Sequence, residues 1–177
     1  LQACAELGRH DYRRCVVFHS LSKRSNLPGL RSGFVAGDGR VLREFLRYRT
    51  YHGATLGNHV QAASIAAWRD EDHVRENRAR YREKYNAVMP LIESLCEVTR
   101  PQGSFYLWPR FDASDESLTV AALRDENLKV VPGRYLARAV GGVNPGENRL
   151  RLSLVAQTHD CVEAVQRLAR VCETVAA

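Results

Sequence analysis

No stretch of this chain approaches the roughly 18 apolar residues of a membrane-spanning helix, and its start carries no signal-peptide pattern. Its five cysteines, Cys4, Cys15, Cys96, Cys161 and Cys172, are odd in number and include no C-x-x-C pair. That argues against a disulfide framework and against a zinc site, and reduced, partly buried thiols in a cytoplasmic setting are expected instead. The six histidines do not cluster at metal-ligand spacing. Neither H-E-x-x-H nor the phosphate loop G-x-x-x-x-G-K followed by Ser or Thr occurs. Gly37-Asp38-Gly39 lacks the third glycine of a dinucleotide fingerprint. Ser20-Leu21-Ser22-Lys23 matches S-x-x-K, but the S-D-N and K-T-G strings of penicillin-recognising enzymes are missing; Ser114-Asp115 is followed by Glu116. There is no internal repeat and no low-complexity segment.

What is present is ordinary globular composition. Of 177 residues, 45% are hydrophobic and 26% charged, enough for one domain with a core or for parts of two. The net charge of +6 favours anionic ligands. The densest basic run, RENRARYREKY, is interleaved with glutamates and reads as a solvated helix face, not as a nucleic-acid surface. The first residues, LQACAELGRHDYRR, include no Met and resemble a helix end and a connector. A missing N-terminal portion is therefore expected, with a site split between present and absent segments.

Hydrophobic periodicity supplies the elements. CVVFHS is a continuous apolar run and predicts a strand buried on both faces. SGFVAGD predicts a second strand. Asp38 then caps a helix carrying Val41, Leu42, Phe45 and Leu46 at helical spacing. TYHGATLGN reads as a glycine-bearing loop, and HVQAASIAAW as a small-residue helix. A long charged helix follows, with Val74, Tyr81, Tyr85, Val88 and Leu95 on one stripe; Pro90 should kink or break it. The shift from alanine-rich to charge-rich sequence puts a domain boundary near residues 86 to 90. The remainder reads β-α-β-β-α: SFYLWPRF, SLTVAALRDEN, LKVVPG, RLRLSLV after a turn-rich loop, and a last helix from about Asp160 with Glu163 as its capping-box partner. Strands alternating with helices imply an α/β or α+β architecture.

Two places could carry chemistry. At the end of the first strand stands Lys23, behind Ser20 and Ser22, with Arg24 beside it and Arg31 eight positions on between Gly29 and Gly33. A lysine becomes nucleophilic when desolvation or neighbouring cations lower its pKa. Hydroxyls and a guanidinium suit a phosphate. A phosphorylated aldehyde cofactor needs both. The plainer alternative is a loop with turn-forming serines and solvated cations. In RLRLSLV, Arg149 and Arg151 alternate with leucines, so one face carries both arginines, either as a solvent face or as a carboxylate clamp.

SLSKRSNLPGLRSGF resembles the lysine motif of class I/II aminotransferases, the pyridoxal 5'-phosphate enzymes of fold type I, in which S-x-S-K is followed by G-x-R-x-G with lysine and arginine eight apart. GSFYLWPRF, LKVVPG and NRLRLSLV follow in the family's order. VQAASIAAWRDEDHVRENRARYREKY looks most like proteobacterial N-succinyl-L,L-diaminopimelate aminotransferases. The resemblance implies that Lys23 forms the Schiff base, that Ser20, Ser22 and Arg31 hold the cofactor phosphate, and that Arg151, in preference to Arg149, binds the substrate α-carboxylate. It implies residues 1–88 as the C-terminal part of the large domain and 89–177 as the small α+β domain. It also implies a cytoplasmic homodimer that takes amino acids and 2-oxo acids. The family's glycine-rich phosphate loop and its asparagine, aspartate and tyrosine around the cofactor ring have no counterpart here. A lyase or another aminotransferase of the same fold, a non-catalytic cofactor-binding regulator, and a cofactor-free α/β domain are the rival readings.

Overall fold

The structure is a computed structural model and describes residues 1–53 and 55–176. Ala54, inside the expected TYHGATLGN loop, lies outside the described residues. Contacts divide the chain into two units, Leu1–Glu76 and Asn77–Ala177. The division falls inside one long helix, between Glu76 and Asn77.

The first unit is built on a two-stranded antiparallel sheet. After the short helix α1 (Gln2–Glu6), strand β1 (Val16–Ser20) pairs with β2 (Gly33–Gly37), with Val16 opposite Gly37 and Ser20 opposite Gly33. The backbones approach closely at both ends. A Cβ on Gly33 would lie 2.4 Å from the His19 carbonyl oxygen, and one on Gly37 2.1 Å from that of Cys15. Between the strands run a one-turn helix α2 (Leu21–Arg24) and a 3-10 turn at Pro28–Leu30.

Asp38 caps α3 (Gly39–Arg49) as expected. Its carboxylate accepts from the backbone N–H of Arg40 and of Arg14, both at 2.8 Å. The hydrogen bond from Arg14 leads in holding its carboxyl below the usual range. Phe45 of α3 meets Phe18 edge-on at 6.0 Å, while Trp68 of α4 (Asn58–Arg69) packs on His19 and Phe34, which share the other face of the pair. The strand expected to be buried on both faces is not: Phe18 is 71% exposed, and Val41 and Leu46 of α3 are exposed too. The apolar run has the composition of a doubly covered strand, but among the described residues the only ring on the Phe18 face is Phe45.

Helix α5 (Asp72–Ile92) runs through Pro90 without breaking. The proline lies in the last turn, so its missing N–H removes only one i to i−4 hydrogen bond, that to the Asn86 carbonyl, and the helix ends two residues later.

In the second unit β5 (Leu150–Ser153) is central, flanked antiparallel by β3 (Tyr106–Leu107) and β4 (Val131–Pro132). The SFYLWPRF strand is shorter than expected; Pro109 cannot donate to a ladder, and beyond it Arg110 makes isolated bridges to Glu97 and Arg149. Helices α6 (Asp115–Glu126) and α7 (Thr158–Ala176) cover one side. Leu107, Leu150 and Leu154 point into the core with Val88, Ile92, Leu118, Val165 and Leu168. The alternation of RLRLSLV is therefore real, with leucines inward and arginines on the opposite face.

Helix α7 starts at Thr158, two residues before Asp160, and the expected capping box does not form. Glu163 instead accepts from the guanidinium of Arg167, one turn on; the arginine at i+4 competes successfully for the carboxylate.

All five cysteines are free thiols. Burial, followed by the nearby Cys172, pushes the Cys96 thiol up to about 12. At pH 8 Cys96 should react with iodoacetamide roughly a thousandfold more slowly than a free thiol of pKa about 8.5. Peptide mass spectrometry before and after unfolding in urea checks this, and prompt labelling of the folded chain at Cys96 would contradict it.

Candidate functional site

The segment from Ser20 to Gly33 is a turn pinned from below. Leu21 is fully buried, and its N–H donates to the Ser32 carbonyl at 3.1 Å. Ser25 and Leu27 both donate their N–H groups to the Leu21 carbonyl, at 3.0 and 3.3 Å, curling the chain over that anchor. Ser32 is itself buried, with its Oγ 2.7 Å from that of Ser64, which donates to the Val60 carbonyl of α4.

Arg24 is spent on the same task. Its nearly buried guanidinium donates to the Ala67 carbonyl at 2.9 Å and to Ser25 Oγ at 3.1 Å, pairs with Glu71, and lies 4.9 Å over the Trp68 ring. Its charge is thus matched by a carboxylate. Neither Ser64 nor the Arg24–Trp68–Glu71 group stood out in the sequence. The available signal was a serine inside the alanine-rich helix and a cation directly after Lys23.

With those residues holding the turn, the residues flanking Leu21 and those beyond it are left facing outward. Ser20 is the N-cap of α2: its Oγ accepts from the Ser22 N–H at 3.0 Å, lies 2.9 Å from Ser22 Oγ, and donates to the Ser32 carbonyl at 3.3 Å. Lys23 is exposed at the end of this single helical turn. The 3-10 turn packs against α2 and closes on Arg31, which adopts left-handed φ of 50°. Arg31 is exposed, and among the described residues its side chain makes one hydrogen bond, from Nη1 to the Pro28 carbonyl at 3.0 Å. Ser20, Ser22, Lys23 and Arg31 therefore share one surface turn.

The two arginines of the second unit differ sharply. Arg149 donates from Nη1 to the Trp108 carbonyl at 3.1 Å. The Arg151 side chain has no hydrogen bond or ion pair among the described residues, and its Nε is buried without a partner. Its guanidinium carbon sits 4.8 Å from the centre of the Tyr106 ring. A desolvated N–H with no acceptor is costly, so Arg151 is the arginine that still has binding capacity to use.

Residues 2–168 match the family model described as aminotransferase class I and II. The chain belongs to that family. A crystal structure of an aminotransferase from Neisseria meningitidis is 45% identical and superposes with a TM-score of 0.90, over 98% of this chain and 44% of that one. A probable aminotransferase of Mycobacterium tuberculosis is 33% identical over 89% of this chain and 36% of its own length. The structure of a probable N-succinyldiaminopimelate aminotransferase from Thermus thermophilus is 25% identical with a TM-score of 0.80, over 92% of this chain and 43% of that one. The chain spans about two fifths of the length of the curated relatives it matches. Its mixed helix-and-strand architecture is that of part of a fold type I aminotransferase.

Class I and II aminotransferases depend on pyridoxal 5'-phosphate. The donor set of the Lys23 turn suits that molecule chemically. The Ser22 hydroxyl and a guanidinium with unspent N–H groups can serve a dianionic phosphate, and the Ser20 hydroxyl joins them by rotating its O–H away from the Ser32 carbonyl. The primary amine of Lys23, directly after Ser22 on the same turn, can meet an aldehyde.

Proposed function

We propose that the complete protein carrying this chain is a pyridoxal-phosphate-dependent aminotransferase, with Lys23 as its catalytic amine. The observation that carries this reading is the pinned turn: Leu21, Arg24 and Ser32 are committed to holding it, while Ser20, Ser22, Lys23 and Arg31 share its surface. In this reading Ser20, Ser22 and Arg31 bind the cofactor phosphate. Arg151 binds the substrate α-carboxylate. Residues 1–88 are the C-terminal part of the large domain, and residues 89–177 form the small one.

The cofactor supplies an aldehyde that captures amines and a ring that stores electrons released at the substrate Cα. The chain's own residues do the rest. Lys23 Nζ, once unprotonated, takes the Cα proton and returns it to the product side, as general base and then general acid. Arg31 and the two serines hold the anionic tail so that the reacting end stays in register with Nζ. Arg151 fixes the carboxylate and with it the direction of the Cα–H bond.

The substrate reading is N-succinyl-L,L-diaminopimelate as amino donor and 2-oxoglutarate as acceptor, in lysine biosynthesis. It is supported by the character of residues 60–85 and by the name of the Thermus relative. A homodimer in the cytoplasm completes the proposal. Glutamate release from these two substrates by the protein expressed from its complete reading frame, in the presence of pyridoxal phosphate, is the expected result. Turnover of aspartate or an aromatic amino acid in its place would move the substrate assignment. Release of pyruvate and a thiol from cystathionine would identify a lyase. In the same assay Arg151→Ala should raise the KM for both carboxylate substrates about 10- to 100-fold, the worth of a charge-assisted bidentate contact. An unchanged KM would remove Arg151 from the site.

A further inference from the structure

Arg151 has an unsatisfied buried Nε, and among the described residues its guanidinium lies against the Tyr106 ring. Strand register explains the contact. Tyr106 of β3 stands opposite Ser153 of β5, so Arg151, two residues earlier on the same face, is its diagonal neighbour, within reach of an aromatic side chain. Val131 of β4 stands opposite Arg151 on the other flank.

The backbone that carries the ring is held on both sides, and a second ring lies against it. The Tyr106 carbonyl accepts from the Tyr85 hydroxyl at 3.2 Å, its N–H donates to Ser104 Oγ at 3.2 Å, and the Phe105 ring lies 4.3 Å away, tilted by 41°. Tyr85 is buried in the core beneath. The Tyr106 hydroxyl has no hydrogen-bond partner among the described residues. What Tyr106 offers Arg151 is therefore its face and not its oxygen.

We propose that Tyr106 is a positioning residue for Arg151: its ring fixes the plane of the guanidinium so that a substrate carboxylate meets both donors of one edge. This rests on the assignment of Arg151 to the carboxylate. A bidentate contact needs the guanidinium plane defined, and the Arg151 guanidinium has no hydrogen bond among the described residues to define it; a ring against it does so at a distance where cation–π attraction operates.

The test uses the complete holoenzyme. Tyr106→Leu should raise the KM for both carboxylate substrates roughly tenfold, within the range a partly desolvated cation–π contact spans, with kcat changed less than about twofold. It should weaken binding of maleate, an unreactive dicarboxylate, by a similar factor in calorimetry. Tyr106→Phe should behave as wild type. In an Arg151→Lys background, Tyr106→Leu should have no further effect, because lysine offers no planar face to orient. If Tyr106→Leu does not accumulate in folded form, Tyr106→Val at the same strand position carries the test. Wild-type KM and maleate affinity in the substituted enzyme, or an effect that persists undiminished beside Arg151→Lys, would overturn the positioning role. The first of these, together with a weakened Arg151→Ala, would leave the carboxylate assignment standing. Normal carboxylate binding in Arg151→Ala would overturn that assignment itself.

Discussion

Replacing Lys23 with alanine in the complete protein should lower transamination by about 10⁴-fold or more, the scale at which general acid–base and nucleophilic contributions of one amine are lost together. The fold should survive. Lys23 is exposed, and substitutions of exposed residues usually stay within about 0.5 kcal/mol. The turn does not depend on it: Leu21 anchors the turn, Ser20 caps it, and Arg24 ties it to α4. Lys23→Arg should be as inactive as the alanine variant, because a guanidinium keeps the charge but does not release its proton near neutral pH. Borohydride treatment of the wild-type protein with pyridoxal phosphate should leave the cofactor on the peptide containing Lys23. Turnover at more than a few per cent in either variant, or labelling of a different lysine, would defeat the assignment.

The chemistry of this turn was legible because it is local. S-x-S-K and G-x-R-x-G lie within the single stretch from Ser20 to Gly33, and Ser20, Ser22 and Lys23 fall within four successive positions. Its support was not legible. Ser64 and Glu71 lie some 30 to 50 residues away, and nothing in an alanine-rich helix marks one serine as the partner of Ser32. Strand alternation fixed the faces of RLRLSLV correctly, since a period of two needs no partner to be read. It could not tell Arg149 from Arg151. That difference comes from what faces each residue across the sheet: the Trp108 carbonyl takes one guanidinium and the Tyr106 ring the other. The misread burial of CVVFHS has the converse cause. Composition reports the environment a strand is suited to, whereas exposure depends on which other residues are there to cover it.

Asp115→Ala should be the most destabilising single change in the second unit, costing about 3 kcal/mol, the low end for removing one partner of a buried ion pair, and lowering Tm by roughly 10 °C for a protein of this size. Asp115 opens α6 and is 0% exposed. Its carboxylate accepts from the Arg134 N–H at 3.0 Å, from Arg134 Nε and Nη2 at 2.8 Å each, and from the Asn148 N–H at 3.2 Å. One side chain thus joins the start of α6 to the turn after β4 and to the residue that leads into β5. Without it, two backbone N–H groups and much of a guanidinium lose their acceptor, and the approach to Arg149 and Arg151 loses its tie. Burial alone would raise the carboxyl pKa, but the hydrogen bonds from Arg134 and Asn148 outweigh it, and the group lies below the usual range. A depressed folded pKa contributes stability that is fully present above the unfolded value of about 3.9 and is lost as pH falls through the folded value. Wild-type stability in urea should therefore decline below about pH 4 more steeply than that of Asp115→Asn, which has no carboxyl at this position to protonate. Parallel pH profiles for the two proteins, or an alanine variant as stable as wild type, would show that the buried carboxylate does not hold the unit together.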